Sequence, residues 1–464
     1  MNNNRALGVA VPEILIPDEK VNMKKWSVVA CDQFTTNQKY WLDVEKQVGV
    51  SPSTLHIMLP EIYLERPDVE ERIARTKEIM RSYLDDSVLN LLPAGFVLVE
   101  RYIDGQPRKG LMVAVDLEEY DFDIYKKPLI RATEETLLER IPPRVEIRKN
   151  ADVEMPHVLV LMDDRENKVI EPLWQRRNRF PKLYDFDLMQ DGGRIAGYFV
   201  NDEAAIEATM EALKALPVHD GMRFCVGDGN HSLATAKAVW NQAKEQLSEE
   251  ELAESPMRYA LVELINLYDD ALTLKPIHRV LYNVNSAQCV QKIVDQLNKT
   301  GREARLVFSR RKPAMQMSHG VQTVFFTSKD SSGRIEINNP SHPLVVGEIQ
   351  DVLEKVAREM PSSKLEYIHG DAELEAAASE YDTLGFYMPA MDKDTFFDMI
   401  IHCGVLPKKS FSLGEANEKR YYLECRLLTQ AAEVVEDEAE EAEGAEEPEM
   451  LEELEVPQLT EEEE

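Results

Sequence analysis

The chain has 464 residues, of which 44% are apolar, and its formal net charge at pH 7 is −32. This length predicts two or three domains, and the apolar content is typical of a soluble globular protein. Apolar runs shorter than about 18 residues predict no transmembrane helix, and the acidic balance excludes the basic surface that non-specific binding to nucleic acid or anionic membranes requires.

Five cysteines are scattered along the chain, and no two of them have the C-x-x-C spacing of a zinc ribbon. An odd number of widely spaced cysteines is typical of reduced thiols rather than of a disulfide framework. The first residues, MNNNRALGVAVPEILIP, lack the apolar stretch and small-residue cleavage site of a secretory signal. We therefore expect a cytoplasmic protein.

Helical and strand periodicities follow one another irregularly along the chain. Helices are predicted at Val69–Leu84, Glu203–Leu216, Ser232–Gln246, Ala287–Leu297, Val346–Glu359 and Leu374–Ser379. Strands are predicted at Gly95–Tyr102, Leu111–Val115, Val158–Met162, Ile195–Val200, Met222–Val226, Arg258–Leu267, Ala304–Phe308, Thr323–Phe326 and Gly385–Pro389. Because neither a regular strand–helix repeat nor an all-strand series results, we predict an α+β fold with mixed sheets.

Four regions are expected. Residues 1–285 form an N-terminal and central α+β region, 286–340 an inserted subdomain, 341–430 a C-terminal α+β region that completes the site, and 431–464 a disordered acidic tail. From Glu433 onward there are 17 acidic residues and no basic one, which leaves −15 of the total −32 on the rest of the chain. Such a run of like charge cannot bury apolar surface, so we interpret it as a solubilising tail.

An unusual turn, GDGNHS at residues 227–232, separates a predicted strand from a predicted helix. A helix N-terminus offers unpaired amides and the positive end of a dipole, and Gly227 and Gly229 would let an anion approach the backbone. Asn230 or Ser232 is the expected helix cap. The turn has neither the Walker A nor the dinucleotide-binding pattern. An Asp-Gly turn with a polar cap explains the same residues without a ligand, so both interpretations stay open.

Nearly all of the chain before the tail resembles a prokaryotic family described as domain of unknown function 1015 (DUF1015). The similar segments, in order, are VPEILIP near the start, Val28–Trp41, Ser53–Glu65, Leu129–Arg144, Met155–Asp164, Leu183–Met189, Val226–Lys237 and Gly404–Arg426. Their number and order cover about 420 residues. The chain is therefore identified as a member of this family.

The family's form of the turn, Asp-Gly-His-His-Arg, is similar to one in the ParB/sulfiredoxin-like superfamily. Members of that superfamily bind a nucleotide or phosphoryl group at this helix start, and they include an archaeal free-serine kinase. The resemblance implies a ParB/sulfiredoxin-like core with additional α/β subdomains. This chain keeps Asp228 and His231 but has Asn230 and Ser232 where the family pattern has histidine and arginine, so a cation at 232 is not expected.

Phosphoryl transfer needs cationic or amide donors for the phosphoryl oxygens and commonly a Mg²⁺ ion held by a carboxylate. It also needs a carboxylate that orients or deprotonates the attacking hydroxyl. Asp228 is the candidate metal ligand and catalytic carboxylate, Glu134 the candidate base, and His231 a candidate acid–base or phosphate donor. Candidate phosphate-binding residues are Gly227, Gly229, Asn230, Ser232, Arg131, Arg144, Lys408 and Lys409.

Two of these assignments depend on local structure. Arg131 and Glu134 are three residues apart, so they lie on one side of the chain if the segment is helical. A surface ion pair with a capping box explains the same spacing. Cys31 follows an apolar run and is interpreted as a buried strand-end thiol rather than a nucleophile, with Asp32 and Gln33 as site lining.

These features together favour a small-molecule phosphotransferase, a kinase acting on the hydroxyl of a free amino acid, with a nucleotide or pyrophosphate as donor and Mg²⁺ as cofactor. Serine as the acceptor is implied by the superfamily resemblance alone. Two alternatives stay open because they need the same phosphate site: a phosphatase of a phosphorylated amino acid, and a nucleotide-binding ParB-like regulatory protein without catalysis. Neither nucleic acid nor membrane is an expected partner.

Overall fold

Helices and strands are mixed along the chain, which confirms the predicted α+β class. The computed structural model describes residues 7–103, 105–309 and 320–429, all within a unit that spans Met1–Gln430. The predicted acidic tail lies outside the described residues. The α-helices are α1 (Met23–Trp26), α2 (Gln38–Val48), α3 (Val69–Asp85), α4 (Ile141–Arg148), α5 (Glu171–Gln175), α6 (Glu203–Lys214), α7 (Asn230–Ala243), α8 (Glu249–Glu254), α9 (Ser286–Lys299), α10 (Val345–Glu359), α11 (Asp371–Ala378) and α12 (Phe396–Cys403).

Most strands belong to two large sheets. The strands are β1 (Val9–Ala10), β2 (Leu15–Pro17), β3 (Leu89–Leu91), β4 (Phe96–Ile103), β5 (Gln106–Asp116), β6 (Tyr120–Asp121), β7 (Ile130–Arg131), β8 (Val153–Glu154), β9 (Leu159–Met162), β10 (Lys182–Asp187), β11 (Arg194–Val200), β12 (Phe224–Asp228), β13 (Tyr259–Asn266), β14 (Lys275–Tyr282), β15 (Ala304–Ser309), β16 (Gln322–Thr327), β17 (Ser332–Ile337), β18 (Lys364–His369), β19 (Thr383–Tyr387), β20 (Phe411–Ser412) and β21 (Arg426–Leu427). Two small sheets pair β2 with β3 and β8 with β21.

The first sheet runs in the order β10–β11–β4–β5–β13–β9–β12–β7–β6, with β1 beside β5. It is mixed, because β13–β9, β12–β7 and β6–β7 are parallel while its other pairs are antiparallel. Apolar residues of α6 and α7 cover one face. The N-terminal segment and the C-terminal segment at residues 421–428 cover the other. Burial on both faces explains the nearly continuous apolar runs of its central strands.

The second sheet has the order β15–β17–β16–β19–β14–β18, with β20 beside β14. Apolar residues of α9 and α10 pack against one of its faces. A separate apolar cluster, which includes Leu161, Phe396 and Phe411, connects the first sheet to α12 and to β20. The second sheet therefore stands next to the C-terminal end of β12, where the GDGNHS turn lies.

The periodicity analysis found many of the long elements but missed others, among them the helix α2 and the strand β14. Each of the six predicted helices matches an observed helix within a few residues. The helix α4 was missed because it begins with two prolines, although proline fits the first turn of a helix, where its missing N–H has no partner to lose.

The two ends of the described chain pair with each other. Backbone hydrogen bonds connect Leu15 with Cys425 at 2.8 and 2.9 Å, and Tyr422 N–H donates to the carbonyl of Val28 at 2.8 Å. The indole of Trp26 donates to the carbonyl of Leu423 at 3.0 Å. The C-terminal segment therefore becomes part of the core that covers the first sheet.

A buried arginine fixes this segment on the sheet. Arg420 forms an ion pair with Glu263 of β13 at 2.9 Å and a second ion pair with Glu424. All three side chains are almost fully removed from solvent. In such surroundings one cation is needed to compensate the two buried carboxylates.

We predict that Arg420→Met lowers the free energy of unfolding by about 3–5 kcal/mol, because Glu263 and Glu424 would stay buried without their cation. Urea denaturation measures the loss. The matched control is Arg194→Met, which breaks a half-exposed pair with Asp185 and is expected to cost less than about 1 kcal/mol. Equal losses for the two variants would contradict this role of Arg420.

Candidate active site

A cavity of about 1010 Å³ opens where the first sheet, the N-terminal loops and the second sheet meet. Its volume lies at the upper end of the usual range for small-molecule sites, roughly 300–1,000 Å³. Ten of the eleven predicted site residues line it: Glu134, Arg144, Gly227, Asp228, Gly229, Asn230, His231, Ser232, Lys408 and Lys409. The fold thus brings together residues that are up to 275 positions apart in sequence.

Arg131 is the exception. The segment around it is extended rather than helical, with Arg131 in β7 and Glu134 in an isolated parallel bridge to Leu406. The side chain of Arg131 is buried away from the cavity, where it donates to the carbonyl of Asp220. The spacing argument that placed Arg131 beside Glu134 is therefore wrong, because it assumed a helical period in a strand.

The GDGNHS turn connects the end of β12 to the start of α7. Gly229 is the N-cap of α7, with φ of 80°, and no side chain caps the helix. A Cβ at Gly229 would also lie 3.1 Å from Val158, and one at Gly227 would lie 2.8 Å from both Leu161 and Leu413. Gly229 is thus required by its backbone conformation and Gly227 by close packing, before any ligand is considered.

The predicted capping by Asn230 or Ser232 is wrong. The side chain of Asn230 turns to the segment before α4, where it accepts from the amide of Thr133 at 3.2 Å and donates to the Thr133 hydroxyl at 3.3 Å. The amides of the first turn of α7 have no partner in the preceding turn of helix, as at any helix start. Because this turn lines the cavity, its amides and the positive end of the helix dipole are directed there.

Asp228 is held by a lysine from the far end of the chain. Its Oδ2 lies 2.8 Å from Nζ of Lys419, and its Oδ1 accepts from the amide of Gly229 at 2.9 Å. Burial raises the pKa of Asp228, but Lys419 and the Gly229 amide outweigh that effect, and the pKa is lowered from its ordinary value. Asp228 is therefore ionised at neutral pH.

Glu134 is shifted in the opposite direction. Burial is the largest cause and raises its pKa, and the nearby charge of Asp228 adds to this effect. The charge of Lys409 and the proximity of its backbone amide oppose this rise in the pKa. Two carboxylates of one cavity thus have pKa values pushed apart, an arrangement that separates acid–base roles in enzymes.

Two further lysines face the cavity without a carboxylate of their own. Lys408 and Lys409 both line it, and neither forms an ion pair with a carboxylate in the described part of the chain. Lys409 has a backbone φ of 57°, in the left-handed region that non-glycine residues rarely adopt. Their charge is thus available to a ligand.

His231 is neutral at physiological pH. Burial lowers its pKa to about 4, helped by the nearby Arg140 and Arg144. Its Nε2 lies 3.3 Å from the backbone amide of Leu137, which can only donate, so the ring proton is on Nδ1. A neutral imidazole with this tautomer can donate one hydrogen bond. Arg144 itself is ion-paired with Glu61 across the cavity, so its charge is already compensated.

A second group of polar residues was only partly foreseen. Asp32 lines the cavity, and its Oδ2 lies 3.9 Å from Nε2 of His157. The Nδ1 of His157 is 2.8 Å from the hydroxyl of Tyr422. Burial raises the pKa of the Cys31 thiol to about 12, which keeps it protonated and agrees with its interpretation as a structural thiol. The contact between His157 and Tyr422 joins residues 265 positions apart, so no local pattern reveals it.

The carboxylate side of the cavity suits a magnesium ion that is bound jointly by the protein and by the phosphates of a ligand. Among residues 7–103, 105–309 and 320–429, no group of three or more His, Cys, Asp or Glu side chains is arranged to hold a metal. Mg²⁺ is usually bound by one or two carboxylates together with substrate phosphates rather than by an all-protein cage. Asp228, which is ionised and lines the cavity, provides one such carboxylate.

The family profile described as "Protein of unknown function (DUF1015)" matches residues 15–358. The chain belongs to this family. The match confirms the family resemblance and stops before the C-terminal segment that carries Lys408, Lys409 and Lys419. No curated protein matches the chain significantly.

Three solved structures show limited similarity to this chain. A conserved hypothetical protein from Pyrococcus furiosus is 11% identical, with 67% of this chain and 90% of that chain covered and a TM-score of 0.34. A free serine kinase in complex with AMP is 11% identical, with 67% and 87% covered and a TM-score of 0.36. SbnI from Staphylococcus aureus is 12% identical, with 69% and 83% covered and a TM-score of 0.31.

Within the described residues, no helix has the length and apolarity needed to cross a membrane.

We predict that Glu134→Gln stabilises the fold at neutral pH. A carboxyl whose pKa is raised by folding is protonated at no cost below its unfolded-state value, about 4.3, and destabilises the fold as pH rises through its folded-state value. Urea denaturation at pH 7.5 and at about pH 4 should therefore show a gain only at the higher pH. The exposed Glu207→Gln is the control, and the absence of a gain at pH 7.5 would contradict the buried-carboxylate assignment.

Proposed function

We propose that this protein transfers a phosphoryl group to the hydroxyl of a small molecule, with a nucleotide or pyrophosphate as donor and Mg²⁺ as cofactor. One observation carries the proposal: the N-terminus of α7 lines the same cavity as three lysines and two carboxylates with opposite pKa shifts. Amide and cationic donors for phosphoryl oxygens, and a carboxylate for the attacking group, are the parts that phosphoryl transfer needs.

The donor's phosphates would bind at the start of α7. Backbone amides of the first turn, from Asn230 to Ser232, offer hydrogen bonds to anionic oxygens, and the helix dipole favours negative charge there. Lys408 and Lys409 add two cations without carboxylate partners among the described residues. His231, neutral and protonated on Nδ1, adds one more donor. These donors, gathered at one helix N-terminus, would favour the phosphate groups of a ligand there.

Glu134 is the proposed base. Its raised pKa makes it a better proton acceptor than an ordinary carboxylate. In the proposed step the acceptor's hydroxyl oxygen forms a bond to the donor's terminal phosphorus as the bond from that phosphorus to the bridging oxygen breaks. The hydroxyl proton passes to Glu134, and the leaving group departs with the bonding electron pair.

Asp228 stays ionised throughout the proposed reaction, and its role is electrostatic. Paired with Lys419, it remains an anion, and it would hold Mg²⁺ against the donor's phosphates. The bound ion would neutralise charge on the transferring group. Asp228 also accepts from the amide of Gly229, so it fixes the turn on which the phosphate-binding amides depend.

The acceptor and the compartment are further parts of the proposal. A free amino acid, with serine as the named candidate, rests on the superfamily resemblance of the sequence. A hydrolase that uses water in place of the hydroxyl would employ the same residues, so the assay below includes it. We place the protein in the cytoplasm because its five cysteines are all free thiols, which is typical of a reducing compartment.

We predict that the protein forms phosphoserine from serine, Mg²⁺ and one of three donors, ATP, ADP or pyrophosphate, each supplied separately and followed by mass spectrometry. Glu134→Gln should lower turnover by about 10²-fold or more, because the proton acceptor is lost. Donor affinity should change little, since the amides and lysines stay in place. The exposed Glu207→Gln should keep full activity.

The outcomes separate the alternatives. Release of phosphate from phosphoserine without phosphoserine synthesis would replace the kinase by the phosphatase. Donor binding without turnover, unaffected by Glu134→Gln, would favour a regulatory nucleotide-binding protein. If no donor binds and no phosphate is released, the phosphoryl-transfer proposal is wrong.

A further inference from the structure

Arg279 lies behind the cavity, in β14 of the second sheet, and is fully buried. Its Nη2 donates to the backbone carbonyl of Lys408 at 2.9 Å, and its Nη1 donates to the carbonyl of Lys409 at 3.0 Å. Its Nε donates to Oε1 of Gln350 in α10 at 3.0 Å. The guanidinium therefore holds two consecutive carbonyls of the lysine pair rather than a ligand.

The backbone of Lys409 needs such support. A lysine in the left-handed region, here at φ of 57°, is less stable than in the ordinary regions, and it persists only when its surroundings enforce it. The support comes from Arg279, because the Lys409 carbonyl accepts a hydrogen bond from its Nη1 at 3.0 Å.

The side chain of Lys408 shares an aromatic neighbour, Tyr367, with Arg279. The ring of Tyr367, in β18, lies with its centroid 5.1 Å from Cζ of Arg279 and 5.9 Å from Nζ of Lys408. The Tyr367 hydroxyl is itself fixed by Nε2 of Gln350 at 2.9 Å. The Tyr367 ring is thus in contact with two cations, and Lys408 is itself one of the residues that line the cavity.

We propose that Arg279 is a positioning residue: by holding the carbonyls of Lys408 and Lys409, it directs both ammonium groups to the phosphate-bearing part of the ligand and so makes anion affinity depend on the second sheet. This proposal rests on the proposed function for the identity of the ligand. Lysine cannot replace Arg279, because a single ammonium lacks the planar fork that reaches two neighbouring carbonyls and an amide oxygen at once.

The test uses Arg279→Lys in the full-length protein and two measurements. The first is the rate of tryptic cleavage after Lys408 and Lys409 under native conditions, followed by mass spectrometry, which needs no ligand. The second is the affinity for inorganic pyrophosphate by calorimetry. We expect cleavage at this pair to become at least about tenfold faster and pyrophosphate binding about tenfold weaker, the scale of losing hydrogen bonds from a charged donor.

A double-mutant cycle separates positioning from general destabilisation. Lys409→Met removes the ammonium, so that Arg279→Lys should weaken pyrophosphate binding far less in that background than in the wild type. Arg426→Lys is the matched control, because Arg426 is equally buried and donates to the carbonyls of Pro256 and Tyr259. It should lower stability without changing pyrophosphate affinity.

Three results would overturn the proposal: unchanged cleavage in Arg279→Lys, unchanged pyrophosphate affinity, or effects of Arg279→Lys and Lys409→Met that simply add. Failure of the proposed function can be told apart from failure of the positioning role of Arg279. A wild-type protein that binds no pyrophosphate and no nucleotide contradicts the phosphate site and the ligand part of the proposal. The cleavage rates then decide on their own whether Arg279 fixes the lysine pair.

Discussion

The ion pair between Asp228 and Lys419 is the contact on which the candidate site depends. It joins the end of β12 to a residue 191 positions later, and the neighbouring Arg420 is fixed by two buried carboxylates of the first sheet and the C-terminal segment. The C-terminal segment must therefore be docked before Asp228 has its cation. An unpaired buried carboxylate costs several kcal/mol, so the turn and the segment stabilise each other, and the site exists only in the complete fold.

Charge is distributed unevenly around this pair. The chain carries a net −32, yet the cavity gathers lysines from the C-terminal segment beside a helix N-terminus. Burial then acts differently on two neighbouring carboxylates, because Asp228 has a lysine and an amide in direct contact while Glu134 is mostly desolvated. The same low-polarity surroundings that make Glu134 costly for stability make it a stronger base. A stability cost at the proposed base agrees with the trade-off between stability and activity that enzymes show.

How much of this was predictable from sequence depends on distance along the chain. The strand, the GDGNHS turn and the helix that follows are local, and periodicity with turn chemistry placed all three. The caps were wrong because Asn230 is engaged by Thr133, and Arg131 was misplaced because a spacing of three residues has meaning only in a helix. The contacts of Arg279 with Lys408 and Lys409 join residues about 130 positions apart in sequence. No local sequence rule predicts them, so these hydrogen bonds become visible only in the folded structure.

The central claim is that the start of α7 and the lysine pair form one phosphate-binding site. A crystal structure of the protein soaked with pyrophosphate tests it most directly. We expect phosphate oxygens within hydrogen-bond distance, about 2.7–3.2 Å, of backbone amides in the first turn of α7 and of the ammonium group of Lys408 or Lys409. Pyrophosphate bound elsewhere on the protein, with this cavity holding only water, would contradict it.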